Sequence, residues 1–309
     1  MSSGAADTSS GMVVESRRRS PLADFFIRLV KEKPLGTLGG IIVLVLLLTG
    51  IFADFLAPYG VNETHAIDAL TPPSAKYVLG TDNLGRDILS RVIYGARTSL
   101  IVGLVATVLC VSIATVIGVT CGFFGGRLDI IAQRFVDAFM CFPGIVLALI
   151  IVSLLGPGMW QVVFALGFRY GITASRVVRG AVIGIKENVY VEAARAIGCS
   201  TTRIMTRHIL PNVMAPIIIL FTTRMPIMIL TEAGLSFLGY GIPPPTPSWG
   251  GMLSGTGRNY MFIAPWMAIW SGLALAIAVY GINMFGDAVR DLLDPRLRGG
   301  VGRYGAVKK

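Results

Sequence analysis

An all-α integral membrane protein with six transmembrane helices is the fold class that this 309-residue sequence predicts, on three observations. Hydrophobic residues make up 54% of it and charged residues 14%, with a mean hydropathy of +0.71, whereas a soluble domain carries about a quarter charged residues. Apolar runs recur at the roughly 20 residues that a helix needs to cross a bilayer core. The basic residues behind the net charge of +10 gather in the segments between those runs, as membrane topology distributes them. No nucleic-acid-binding motif accompanies them, so membrane lipid is an expected partner and nucleic acid is not.

The elements follow in order. The first twelve residues, MSSGAADTSSGM, are small and polar and predict disorder. No cleavable signal peptide is expected, because the first apolar run starts near Leu35 and is long enough to span. Leu35 to Phe55 is the first predicted span, with Asp54 at its outer edge. Thr98 to Phe124, free of charge, is the second. Ala138 to Phe168 is also uncharged but too long for one helix, and Gly156-Pro157-Gly158 specifies a turn that divides the region into spans over 137–155 and 159–179. Val213 to Leu238 is the fifth and Ile263 to Gly286 the sixth.

Six spans put three basic clusters on one side. These are Arg17, Arg18, Arg19, Arg28, Lys31 and Lys33; Arg176, Arg179, Lys186, Arg195, Arg203 and Arg207; and Arg290, Arg296, Arg298, Arg303, Lys308 and Lys309. The positive-inside rule makes that side cytoplasmic, both termini included, and five spans would strand one cluster outside. The expected organisation is a cytoplasmic segment at 1–34, a first helix with an extracytoplasmic segment at 35–97, a transmembrane core at 98–288 with an external loop at 239–262, and a cytoplasmic tail at 289–309.

One stretch, VEAARAIGCSTTRIMTRHILPN (Val191 to Asn212), is charged and helix-prone between two apolar runs. Asn188 is placed to cap a helix in which Val189, Ala193 and Ile197 recur at helical spacing and Glu192 faces the positive end of the dipole. Gly198 is placed to end that helix in a left-handed conformation. Ser200 or Thr201 can cap a second helix, whose Ile204, Met205 and Ile209 form an apolar stripe beside Arg203 and Arg207. Pro211 suits the start of the helix that follows. The spacing predicts a helix, elbow, helix unit joined to the fifth span, serving either as a surface on lipid headgroups or as a docking surface.

The order Glu192-Ala193-Ala194, then Gly198, then Ile209-Leu210-Pro211 resembles the EAA signature of ABC importer permeases. PPSAKYVLGTDNLGRDILSRVIYGARTSL (72–100), GLSFLGYGIPPPTPSWGGML (234–253) and RDLLDPRLRG (290–299) are similar to segments of the dipeptide/oligopeptide permease family, C-type subunit, so the likeness covers 35–299. The resemblance implies a type I ABC importer permease fold in which the loop at 185–212 is the coupling helix that docks on an ATPase. It implies Glu192, Ala193, Ala194, Arg195, Gly198, Arg203, Ile204, Arg207, Leu210 and Pro211 as the coupling residues. It further implies a heterodimer with a B-type permease, two cytosolic ATPases that bind ATP and Mg, and an extracytoplasmic substrate-binding protein, in a bacterial or archaeal cytoplasmic membrane. Peptides are the implied cargo, although relatives also move glutathione, opines, nickel or oligosaccharides. GFRYGITAS departs from the family's aromatic and small-residue run and places Arg169 inside the fourth span.

None of the six lysines follows a glycine, so no Walker A loop is present; the chain is expected to be no enzyme and to hold no cofactor. LGTDNLGRD is a phosphate-loop lookalike only. His65 and His208 are too few and too far apart in sequence for a metal site. Cys110, Cys121, Cys141 and Cys199 have neither CxxC spacing nor a paired framework and predict reduced, structural thiols. The sequence shows neither the inverted repeat or intramembrane carboxylate relay of a secondary transporter nor the clustered nucleophiles of a membrane enzyme.

Arg169, Arg224 and Glu232 fall within spans, where ionisable residues are functional suspects. They either line a pathway and meet the charged ends of a peptide, or pair with one another or a neighbouring subunit to fix packing. Pro244, Pro245 and Trp249, in the proline-rich turn 243–249, either stiffen and anchor the loop or lie beneath a docked binding protein. Gly103, Gly118 and Gly122 are expected to permit close helix packing.

Overall fold

The computed structural model describes residues 21–293. The disorder expected of the first dozen residues, the arginines at 17–19 and most of the basic tail lie outside them. Among the described residues the chain is built from helices, with no strand. α1 (Pro21–Glu32) leads into α2 (Pro34–Ile51), the first span, with Pro34 at its first turn, where the missing N–H costs no bond. A short α3 (Ala53–Leu56) turns the chain toward the connection at 57–87.

α4 (Ile88–Phe124) starts at Ile88 rather than at Thr98, and the LGTDNLGRD stretch is the reason. Asp82 Oδ1 accepts from the N–H groups of Leu84 and Arg86 at 2.9 Å each, and Gly85 takes a φ of +72°. Asp87 then caps α4 by accepting the Ser90 N–H at 2.7 Å. The phosphate-loop lookalike is a helix-starting turn. Arg97, inside the extension, reaches back to the end of α2, donating to Gly50 O and to Asp54, each at 2.8 Å.

The third predicted span, 137–155, is not a straight helix. α5 (Gly126–Cys141) and α6 (Gly144–Leu155) meet at 95°. Pro143 offers no N–H and holds Phe142 extended (φ −86°, ψ 136°), which breaks the helix that hydropathy alone had joined. α5 is amphipathic, and α7 (Met159–Lys186) grips its polar face. Arg179 donates to both oxygens of Asp129, at 2.6 and 2.5 Å, and Arg176 pairs with Asp137. Two arginines of the second basic cluster are therefore partnered.

α8 (Val189–Ala196), α9 (Thr201–Ile204) and α10 (Met214–Phe237) come next, with α9 to α10 running as one 37-residue helix over Thr201–Phe237. α11 (Trp249–Leu253) and α12 (Thr256–Asn259) precede the last span, α13 (Trp266–Leu293). Among the described residues, four helices are long and apolar enough to cross a membrane, and five when the bent pair counts as one. The 28-residue α7, which takes the place of the fourth predicted span and carries Arg169, Arg176 and Arg179, is not among them, so the count comes close to the predicted six.

α4 packs mainly on α7, α2 on α13, and α10 on both α4 and α13. Glycines set the α4–α7 contact, as expected. A methyl group on Gly118 would stand 2.6 Å from Val178 Cβ, and one on Gly122 would stand 2.8 Å from Val182 Cβ. Gly103 likewise makes room for Ile229 of α10. Leu38, Ile41, Leu44 and Leu48 of α2 stay exposed, forming an apolar outer face suited to lipid. All four cysteines are free, and Cys141, which ends α5 at the bend, is exposed.

Candidate functional site

α8 forms where the spacing predicted it, but its expected apolar repeat faces outward. Val191 and Ala194 are buried against the bundle, whereas Val189 and Ile197 are each 80% exposed. Tyr190, Glu192, Ala193 and Arg195 are exposed beside them. Asn188 occupies the capping position, yet its amide turns back and donates to Ile185 O at 3.0 Å. Gly198 takes a φ of +80°. Its N–H donates to Arg195 O at 2.9 Å and the Cys199 N–H donates to Ala194 O at 3.0 Å, the paired bonds of a Schellman elbow. Ser200 caps the next turn by accepting the Arg203 N–H at 3.4 Å.

Ile204, Ile209 and Val213 bolt this second helix to the bundle, and Arg203, Arg207 and Pro211 are exposed. Pro211 cannot donate to Arg207 O. A wide π turn over Met205–Ile209 and a tight 3-10 turn over Leu210–Val213 carry the helix past it unbroken. Of the ten residues assigned to coupling, Ala194 and Ile204 face inward, Leu210 is half-buried, and the other seven are presented. The Arg195 guanidinium lies 5.4 Å from the Phe123 ring centroid, tying the elbow to α4.

Arg169 and Arg224 converge, and Glu232 does not join them. The Arg169 guanidinium lies 4.2 Å and that of Arg224 5.8 Å from the centroid of Tyr170, whose hydroxyl meets Thr231 Oγ1 at 3.1 Å. Glu232 is fully buried and its partners are uncharged: Oε1 accepts from Ser236 Oγ at 2.7 Å and Ser248 Oγ at 3.0 Å. Eight residues place Arg224 and Glu232 on similar faces of α10, but each finds its partner on a different neighbour. Ser236 was legible as an i, i+4 neighbour of Glu232; Ser248, Tyr170 and Thr231 carried no such local signal.

Ser248 joins Glu232 to the proline-rich turn. Trp249 is 1% exposed; its N–H donates to Ser99 Oγ at 3.2 Å and its indole N–H to Val92 O at 3.1 Å. It is a pin between α4 and α10 rather than a surface residue, while Pro244 and Pro245 are exposed. Those prolines border a cavity of about 510 Å³ shared with Asp82, Arg86 and Arg91. Glu232→Gln is expected to keep this junction, because the amide oxygen accepts the same two hydroxyls. Glu232→Ala leaves both without that acceptor, at about 1–3 kcal/mol, and thermal unfolding in detergent separates the two variants.

The described residues thus form a helical membrane bundle with an exposed elbow at its edge. The chain belongs to the family of binding-protein-dependent transport system inner membrane components, whose model matches residues 114–299. The N-terminal transmembrane domain of oligopeptide transport permease C matches 20–73. Among its relatives are the dipeptide transport system permease protein of Alkalihalophilus pseudofirmus (39% identical, covering 90% of this chain and 91% of that one) and the di/tripeptide permease protein of Pseudomonas aeruginosa (39%; 90% and 93%). The glutathione transport system permease protein of Pectobacterium atrosepticum is 39% identical over 91% of this chain and 93% of its own. A chain of the inward-facing MetNI methionine ABC transporter shares the fold, with a TM-score of 0.51 and 18% identity over 67% of this chain and 98% of that one. The protein is thus a membrane-spanning permease subunit of an ABC importer, and such subunits are not enzymes.

Proposed function

We propose that this permease imports peptides handed over by an extracytoplasmic binding protein, paired with a B-type permease and driven by two ATPases that bind ATP and Mg. The observation that carries the coupling half of this reading is the elbow: an exposed apolar patch, Val189, Ala193 and Ile197, flanked by Glu192 and Arg195, on a unit anchored by Val191, Ala194 and Ile204. ATPase closure presses on 188–210, and the helix continuous through Pro211 passes the displacement into the bundle. A ligand shifts such an equilibrium only by its differential affinity for the two states, so ATP favours the closed ATPase dimer and the stiff elbow conveys the difference.

In this arrangement 1–34, 185–212 and 289–309 face the cytoplasm of a bacterial or archaeal cell. The segments 56–97 and 239–262 face outward, and Pro244, Pro245 and the cavity they border lie under the binding protein. The peptide cargo rests on the dipeptide and di/tripeptide relatives. Proteoliposomes with the four partner chains test the reading. Labelled dipeptide is expected to accumulate only with ATP and binding protein, competed by tripeptide more strongly than by glutathione. Accumulation without any ATPase would overturn it.

A further inference from the structure

Two guanidiniums share one aromatic ring inside the bundle, and among the described residues neither has a carboxylate within ion-pair distance. The nearby acids are committed elsewhere: Asp129 to Arg179, Asp137 to Arg176, and Glu232 to two serines. Arg169 Nε and Nη1 are buried with no hydrogen-bond partner at all. Gly144, the first residue of α6, makes room for this group, since a methyl there would overlap the guanidinium. Arg224 also lines a groove of about 570 Å³ together with Ile219, Ile227, Val177 and a second cation, Arg290. Buried guanidinium nitrogens left without a hydrogen-bond partner, as on Arg169, are costly, and Arg224, half-buried beside the same ring, adds the repulsion of a like charge. An anion arriving between them relieves both.

We propose that Arg169, Tyr170 and Arg224 form a transient carboxylate site, and that its occupant is the C-terminal carboxylate of a peptide in transit; the proposal rests on the peptide-import reading above. A guanidinium fork matches a carboxylate in shape and number of donors. The Tyr170 hydroxyl meets Thr231 Oγ1 at 3.1 Å and adds a neutral polar group to the cluster.

The test uses proteoliposomes of the whole complex, supplied through saturating binding protein with a labelled dipeptide or its C-terminal amide. Uptake by Arg169→Gln, Arg224→Gln and Arg224→Lys is divided by wild-type uptake of the same peptide, so the binding protein's own preference cancels. Both glutamine variants are expected to lose about tenfold with the free acid, the scale of one charge-assisted contact, and to stay within about twofold of wild type with the amide. Arg224→Lys falls between. Equal loss with both peptides, or loss of the partner permease on copurification, assigns the arginines to packing or to a subunit ion pair and overturns the site. No loss with either peptide overturns it too. A wild-type complex that hydrolyses ATP yet moves neither peptide removes the peptide cargo, and the site with it.

Discussion

Val189→Asp combined with Ile197→Asp is expected to leave the permease folded in the membrane while it loses its ATPases. Both side chains are 80% exposed, and substitutions at such positions change stability by about 0.5 kcal/mol or less. Against a partner groove the same carboxylates would be buried without counter-charges. Disrupting the buried centre of an interface costs about 2 kcal/mol or more, at least thirtyfold in affinity at this scale. Copurification of ATPase with tagged permease measures the loss, and the thermal midpoint in detergent checks the fold. Undiminished copurification would move the docking surface elsewhere on the chain. A collapse in thermal stability would make the patch structural.

Gly118→Leu carries the largest expected cost to folding. Even a methyl at this position would stand 2.6 Å from Val178 Cβ, 2.8 Å from Ser175 O and 2.9 Å from the Arg179 backbone nitrogen. Two of those atoms belong to the α7 backbone and cannot rotate away. α4 and α7 must separate along their main contact, which overpacking prices at about 1–3 kcal/mol or more. Gly180 supplies the control, because a methyl there meets nothing within 4 Å. Gly180→Ala is expected to be neutral or to stabilise α7 by up to about 1 kcal/mol. Monodispersity and unfolding temperature of the two variants give the comparison, and equal behaviour would mean that the helices do not meet through glycine.

Hydropathy and charge distribution made the spans legible, since each is a long apolar run bounded by polar residues. The failure came at Pro143, where composition stays apolar but the backbone cannot stay helical, so one predicted span became α5 and α6 at 95°. The start of α4 was missed for the opposite reason: Arg91 and Arg97 look too polar for a span, yet Asp82 and Asp54 partner them. Periodicity located α8 but not its orientation. Val189, Ala193 and Ile197 share a face at helical spacing, and only tertiary packing decides that Val191 and Ala194 go inside. Gly198 was legible because a left-handed elbow needs glycine and its neighbours gave the register. Tyr170 beside Arg224 and Ser248 beside Glu232 were not, because they arrive from α7 and from the loop before α11.

The helix from Thr201 to Phe237 spans 37 residues without a break, about 55 Å at 1.5 Å per residue. One end carries the elbow; Glu232, near the other, holds Ser248 and so the loop that bears Pro244 and Pro245. Tilting such a rod by 10° about its midpoint swings its two ends about 5 Å in opposite senses, on that length. A rod pivoting in this way would act as a seesaw, so that a push at the elbow would reach the proline-bearing loop with its direction reversed.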